Sequence, residues 1–167
     1  MLIRAEKEND QGAVYAVNVS AFETPSEANL VDILREQAQP VVSLVAEDNG
    51  EVVGHIMFSP VSLSGYHNLK VMGLAPMAVA PEHQRKGIGS ALVQAGLEQC
   101  KQLGFTAVVV LGHPEYYPRF GFSPSSQFGI DSEYEVSEEV FMAIELQPEA
   151  LSGKTGRVKY HPAFSNL

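Results

Sequence analysis

The sequence predicts a mixed α/β fold, a mostly antiparallel sheet with helices on both faces. Three observations carry this. Short apolar runs of strand length alternate with longer segments whose apolar residues recur at helical spacing. Asn49-Gly50 stands between two apolar runs, the strongest short signal for an antiparallel hairpin. A helical segment after Pro81 leads into the wholly apolar Ala107–Leu111, the pattern of a buried strand reached by a parallel crossover.

The elements follow in order. Leu2 to Ala5 reads as a first strand. Asp10 to Phe22 and Pro25 to Gln37 read as helices, with Val14, Val17 and Ala21 on one face and Leu30, Ile33 and Leu34 on the other's, and with Ser26 as an N-cap. Val41 to Glu47 and Glu51 to Ser62 are the two arms of the hairpin. Gly65-Tyr66-His67-Asn68 is a second turn, and a strand from Leu69 to Ala80 follows it. After a polar loop comes a helix of about fifteen residues with the stripe Leu92, Val93, Leu97, Cys100 and Leu103, stopped at Gly104. Ala107 to Leu111 is the buried strand, Glu115 to Phe120 a short helical turn and Val140 to Leu146 a late strand. The segment Gly153 to Leu167 carries no periodicity that places it.

Composition narrows the function. A chain of 167 residues, 45% hydrophobic, fits one domain over residues 1–167. Its net charge of -9 argues against nucleic acid, whose phosphates need a basic face, and against a polybasic membrane surface. Its single cysteine, Cys100, leaves no internal disulfide, and no apolar run is long enough for a signal or a membrane span. A cytoplasmic protein is expected, with the sequon Asn18-Val19-Ser20 a chance occurrence. The scattered His67, His83 and His161 give no metal site, and His55, on a strand, reads as a half-buried structural histidine.

The most informative stretch is Met77-Ala78-Val79-Ala80-Pro81-Glu82-His83-Gln84-Arg85-Lys86-Gly87-Ile88-Gly89-Ser90. It reads strand, loop, helix. Two glycines let the backbone approach a ligand, and a helix that starts there offers unpaired N–H groups to an anion. Ser90 adds a hydroxyl, and Arg85 and Lys86 add positive charge in an acidic chain. A P-loop is excluded because no lysine follows the second glycine, and the dinucleotide fingerprint fails at Leu92. A glycine-rich helix start without a ligand also fits the residues taken alone. Gln84-Arg85-Lys86-Gly87-Ile88-Gly89 resembles the Gln/Arg-x-x-Gly-x-Gly/Ala signature of the GNAT superfamily of N-acetyltransferases, and the element order resembles the GNAT fold over most of the chain. The resemblance implies that acetyl-CoA is the cosubstrate. It implies that Gln84, Arg85, Lys86, Gly87, Ile88, Gly89 and Ser90 form the loop around its pyrophosphate. It implies also that Met77, Ala78 and Val79 pair their backbone with the pantetheine arm.

Tyr117-Pro118-Arg119-Phe120-Gly121-Phe122 resembles the second GNAT landmark, Tyr-x-x-x-Gly-Phe. The resemblance implies that Tyr117 is the general acid for the departing thiolate, while Tyr116 stands at the place of an apolar family residue. The family often carries Asn seven residues before the tyrosine, where this chain has Val110. The chemistry fits: a thiol of pKa ~8.5 is a fair leaving group, and a phenol of pKa ~10 is protonated at neutral pH and can donate to the departing thiolate. The oxyanion needs a fixed donor, for which a free backbone N–H near Val79 is the candidate, and Pro76 marks a bulge close by. No carboxylate lies in Val71-Met72-Gly73-Leu74-Ala75, where some members carry their base, so Glu115 and His113 are the base candidates, acting directly or through water.

The expectation is an acetyl-CoA-dependent N-acetyltransferase that moves an acetyl group to a primary amine of a small molecule or protein by direct attack in a ternary complex. Cys100, on an apolar stripe, reads as core rather than nucleophile. Between Phe120 and Gly153 there is no Lys or Arg, while Asp131, Glu133, Glu135, Glu138, Glu139, Glu145 and Glu149 are present. That field steers cations, or it is a solvated face. The alternatives are a catalytically silent acyl-CoA sensor or interaction module and a nucleotide-phosphate binder using the same loop. Monomer and dimer both remain open.

Overall fold

In the computed structural model, which describes residues 1–166, the chain opens on β1 (Leu2–Ala5), followed by α1 (Gln11–Ala21) and α2 (Ser26–Gln37). Ser26 is the first residue of α2 and not its cap. Pro25 occupies the cap position, and Thr24 Oγ1 accepts from the Ser26 N–H at 3.3 Å. Proline has no N–H of its own to satisfy, so it suits the edge of a first turn. Next come β2 (Val42–Asp48) and β3 (Glu51–Leu63), joined through Asn49 (φ 51°) and Gly50 (φ 80°). Two successive left-handed residues match the twist of the strands they connect.

The chain continues through β4 (Val71–Val79), α3 (Ile88–Gln102) and β5 (Ala107–Leu111). The C-terminal end of α3 is closed by two backbone bonds, Gly104 N–H to Lys101 O and Phe105 N–H to Cys100 O, both 3.0 Å. This pair satisfies carbonyls that the helix itself leaves open. Then follow a 3-10 turn over Tyr117–Phe120, β6 (Ser123–Pro124), β7 (Ile130–Ser132), β8 (Phe141–Glu145) and β9 (Gly156–Lys159). The predicted late strand is β8. The strands β6 and β7 have two and three residues, too short to show a period. The unplaced tail supplies β9, which pairs with β3 at Ser62 and Leu63, and a 3-10 segment over Pro162–Asn166; Leu167 lies outside the described residues.

Strand order is β1-β2-β3-β4-β5-β8-β6, with β9 joined to β3 and β7 paired to β9. The β4–β5 pair is parallel, as the crossover through α3 requires, and so is β7–β9; the other pairs are antiparallel. Alternate residues of β3 divide between two cores. Ile56 and Phe58 meet α3 through Leu92, Val93 and Leu97, while Met57 meets Val14 of α1 and Leu30 and Leu34 of α2. The helices therefore cover both faces of the sheet. His55 is fully buried on the α1 face, with Nδ1 3.2 Å from Asn18 Nδ2 and Nε2 2.9 Å from Ser43 Oγ. Burial pushes its pKa down to about 3, so it stays neutral. Asn18, the sequon asparagine, is equally buried. No helix among the described residues is long and apolar enough to cross a membrane.

Candidate active site

β4 and β5 form a fork. They pair from Val71–Ala107 to Leu74–Val110, and beyond that β4 pairs only with β3. At the branch, the β3–β4 register shifts between Ile56 and Phe58, because Ala75 and Pro76 oppose the single residue Met57. This is the bulge anticipated at Pro76, and it aims the rest of β4 away from β5. Ala80 donates to Val53 O at 2.9 Å, which fixes the phase of the ladder beyond the bulge. Ala78 therefore spends its backbone on His55, whereas Met77 and Val79 turn theirs toward the open arm of the fork. Val79 O accepts from Gln84 Nε2 at 3.0 Å. The Met77 and Val79 N–H groups remain directed into the gap.

The glycine loop sits where β4 ends. Gly87 is the N-cap of α3 with φ 81°, a left-handed conformation followed at once by helical Ile88. Arg85 is left-handed too, at φ 65°. The first intrahelical bond is Ala91 N–H to Gly87 O at 3.1 Å, which leaves the amides of Ile88, Gly89 and Ser90 free of helical partners. Successive amides in such a turn form a concavity for an anion, and the dipole of a fifteen-residue helix adds to it. Arg85 and Lys86 are exposed, and neither forms an ion pair with a described residue. Their charge is available at the loop.

The tyrosine segment closes the other side of the fork. Leu111 ends β5, and Gly112 N–H is tied to Val140 O at 2.9 Å. Tyr117 is buried against Phe122, at a ring separation of 5.6 Å, and a Cβ on Gly112 would stand 2.3 Å from Tyr117 Cε2. Burial, with a smaller contribution from the Tyr116 phenol, pushes the Tyr117 phenol up to about 12. No described residue gives its hydroxyl a hydrogen bond. Glu115 and His113 are exposed side chains of the segment that follows β5, and the His113 carbonyl accepts from Tyr116 N–H at 3.1 Å. Cys100 is fully buried, and burial pushes its thiol up to about 12, so it belongs to the core under α3.

Sequence reasoning left two contributors out. Tyr116 Oη lies 3.1 Å from Ser90 Oγ, on the first turn of α3. The Arg119 guanidinium lies over the Tyr116 ring at 4.6 Å from its centre. In a 3-10 turn residues i and i+3 eclipse, so the spacing Tyr116…Arg119 was the available signal.

Residues 12–122 match the acetyltransferase (GNAT) family. The chain is 38% identical over 168 residues, all of both chains, to YhbS of Escherichia coli K12, named an uncharacterized N-acetyltransferase. The chain belongs to the GNAT family. Within it, the crystal structure of E. coli YhbS in complex with CoA superposes with a TM-score of 0.92 at 37% identity, covering 98% of this chain and 91% of that one. A GNAT acetyltransferase from Brucella melitensis, solved with acetyl-CoA, gives 0.81 at 35% identity, covering 98% and 97%. The GNAT fold therefore extends to the β8 and β9 strands beyond residue 122, which the antiparallel closure of β5 by β8 and the anchoring of the tail on β3 bring into the same sheet.

Proposed function

We propose that this GNAT protein, with residues 1–167 acting as one domain, binds acetyl-CoA along the open arm of β4 and transfers the acetyl group to a primary amine. The observation that carries the reading is the alignment of two unpaired backbone sets. The Ile88, Gly89 and Ser90 amides stand at one end, and the Met77 and Val79 edge stands at the other. The first set suits a diphosphate, and the second suits an amide-bearing arm that ends in a thioester. The two relatives solved with CoA and acetyl-CoA support it. A reducing cytoplasmic setting goes with it, and the buried free thiol of Cys100 fits that setting.

In this reading Met77 and Val79 supply N–H donors for charge that grows on the thioester oxygen as the amine attacks. The attack forms the C–N bond, the C–S bond breaks, and the attacking nitrogen sheds a proton. Tyr117 holds its hydroxyl proton toward the leaving sulfur. Its raised pKa makes it a steady hydrogen-bond donor to a developing thiolate at every pH well below 12. Glu115 or His113, both exposed, takes the amine proton directly or through water.

An amine acceptor gains support from charge. A cavity of about 530 Å3 is lined by Asp131, Glu133, Tyr134, Glu135 and Glu138, and its one cation, Arg157, is already paired with Asp131 at 3.1 Å. It adjoins Phe141, which opposes Leu111 at the tip of β5. Its volume suits a small molecule.

The test is thiol release from acetyl-CoA with a panel of amines. Tyr117→Phe is expected to lower kcat by about 100-fold and leave CoA affinity unchanged. The ratio of wild-type to variant rates should stay flat with pH up to about 10, because Tyr117 remains protonated throughout. A kcat within about twofold of wild type removes Tyr117 from the mechanism. One observation favours a second reading, an acyl-CoA sensor: β4 carries no carboxylate between Val71 and Ala75. CoA binding without thiol release from any amine selects it.

A further inference from the structure

Tyr116 stands where the family resemblance places an apolar residue, yet its hydroxyl reaches the glycine loop, beside the Met77 side chain. It lies 3.1 Å from Ser90 Oγ. A Cβ on Gly89 would meet it at 3.3 Å, a tight contact that glycine relieves. Two hydroxyls that share one hydrogen bond use one proton. Whichever donates, the other keeps an O–H to give. No described residue accepts it, and the open amides of Ile88, Gly89 and Ser90 belong to the same turn. The remaining O–H is free for water, or for an acceptor that takes the water's place over the start of α3. The Arg119 guanidinium, stacked on the Tyr116 ring at 4.6 Å from its centre, brings a positive charge alongside the ring whose hydroxyl reaches Ser90. Arg119 is exposed and has no carboxylate partner among the described residues.

We infer that Tyr116 and Arg119 form a second wall of the diphosphate site, facing the glycine loop: the Tyr116–Ser90 hydroxyl pair donates to a phosphate oxygen, and Arg119 supplies charge beside it. This rests on the acetyl-CoA reading and adds two ligands to it. It also divides labour between adjacent tyrosines. Tyr117 is packed into the core at the branch of the fork, and Tyr116 faces the start of α3. The rings stand nearly perpendicular, at 84°, so one short turn presents a phenol in each direction.

The probes are CoA and 3′-dephospho-CoA, which share the diphosphate and differ in the ribose phosphate. Tyr116→Phe keeps the ring that Arg119 covers and removes only the hydroxyl. Its Kd for both ligands is expected to rise about tenfold, the scale of a hydrogen bond to a charged group, with no change in melting temperature. Arg119→Gln should weaken both as well, and its deficit should shrink as salt rises from about 0.05 M to about 0.5 M. A purely structural role for the pair would lower the melting temperature and show no salt dependence. Unchanged Kd values in both variants overturn the inference. So does a loss confined to CoA, which would put the pair on the ribose phosphate. A wild-type protein that binds neither ligand overturns the acetyl-CoA reading itself, a failure visible before any variant is made.

Discussion

Gly112 has no side chain because Tyr117 leaves no room for one. The ring edge lies 2.3 Å from where a Cβ would be, and it is held there by Phe122 and the core under α3. Gly112→Ala must therefore move the phenol or the backbone at the tip of β5. Overpacking of this kind costs about 1–3 kcal/mol. The expected outcome is a lower melting temperature together with a fall in kcat at unchanged CoA affinity, since the amides proposed to hold the diphosphate lie on another element. If kcat survives, the position of Tyr117 is not what turnover depends on. At the same scale, the neighbouring Tyr116 and Tyr117 differ in role only by the direction each leaves the turn. Sequence pattern ranks the two, but it gives neither one a direction.

At the level of elements, the placement of α3 decides the geometry of the loop. The helix lies close to β3 because a glycine on each element makes room for large side chains of the other. A Cβ on Gly54 would meet Ile88 at 3.0 Å and Leu92 at 3.1 Å, and one on Gly96 would meet Phe58 Cε1 at 2.2 Å. Alanine is usually the better helix former by about 1 kcal/mol. At Gly96 the sign reverses, since Phe58 is fully buried and its ring has no space to yield. Gly96→Ala is expected to destabilise by about 1–3 kcal/mol in chemical denaturation, with a secondary loss of CoA affinity as the N-terminal turn lifts from β4. A stabilised variant would show that the ring can move aside. The fork obeys the same logic. One bulge at Ala75-Pro76 separates β4 from β5 and frees the edge of Met77 and Val79.

Across the whole molecule, charge is unevenly spread. The net charge is -9, yet Arg85 and Lys86 precede the start of α3, Arg119 covers the Tyr116 ring beside it, and acids dominate from Asp131 to Glu149. Under the proposed function, this arrangement steers an anionic cosubstrate to one region and a cationic amine to another. Ion pairs also tie distant segments together. Arg4 on β1 bonds Asp10 at 2.7 and 3.0 Å and Glu47 on β2 at 3.0 Å. The Arg4 hydrogen bonds, helped by the Lys7 N–H, hold the Asp10 carboxyl down to about 2. A carboxylate whose folded pKa is depressed adds stability that is complete above the unfolded pKa and is lost as pH falls through the folded one. For Asp10 that window runs from about pH 4 down to about pH 2. Asp10→Asn should lower the melting temperature near neutrality and flatten the decline across that window. A decline of unaltered steepness would assign the acid limb to another carboxylate.

Local pattern was enough for the long elements. The hairpin at Asn49-Gly50, the stripe of α3 and the apolar β5 are each dictated by residues a few positions apart, and the loop from Gln84 to Ser90 carries its own backbone chemistry. The short strands β6, β7 and β9 were not readable, because pairs of two to four residues are stabilised by partners far along the chain. The start of α2 was misread by one residue, since Ser26 has the chemistry of a cap while Pro25 takes the place. The sequence alone determined the class of fold and the glycine-rich helix start on which the proposed diphosphate site rests, because both arise from local periodicity and local backbone freedom. Only tertiary structure decided which tyrosine faces α3, which N–H groups of β4 stay open and where the acids gather. Those depend on the register of β3 against β4 and on where β4 and β5 part, and no short stretch of chain encodes either.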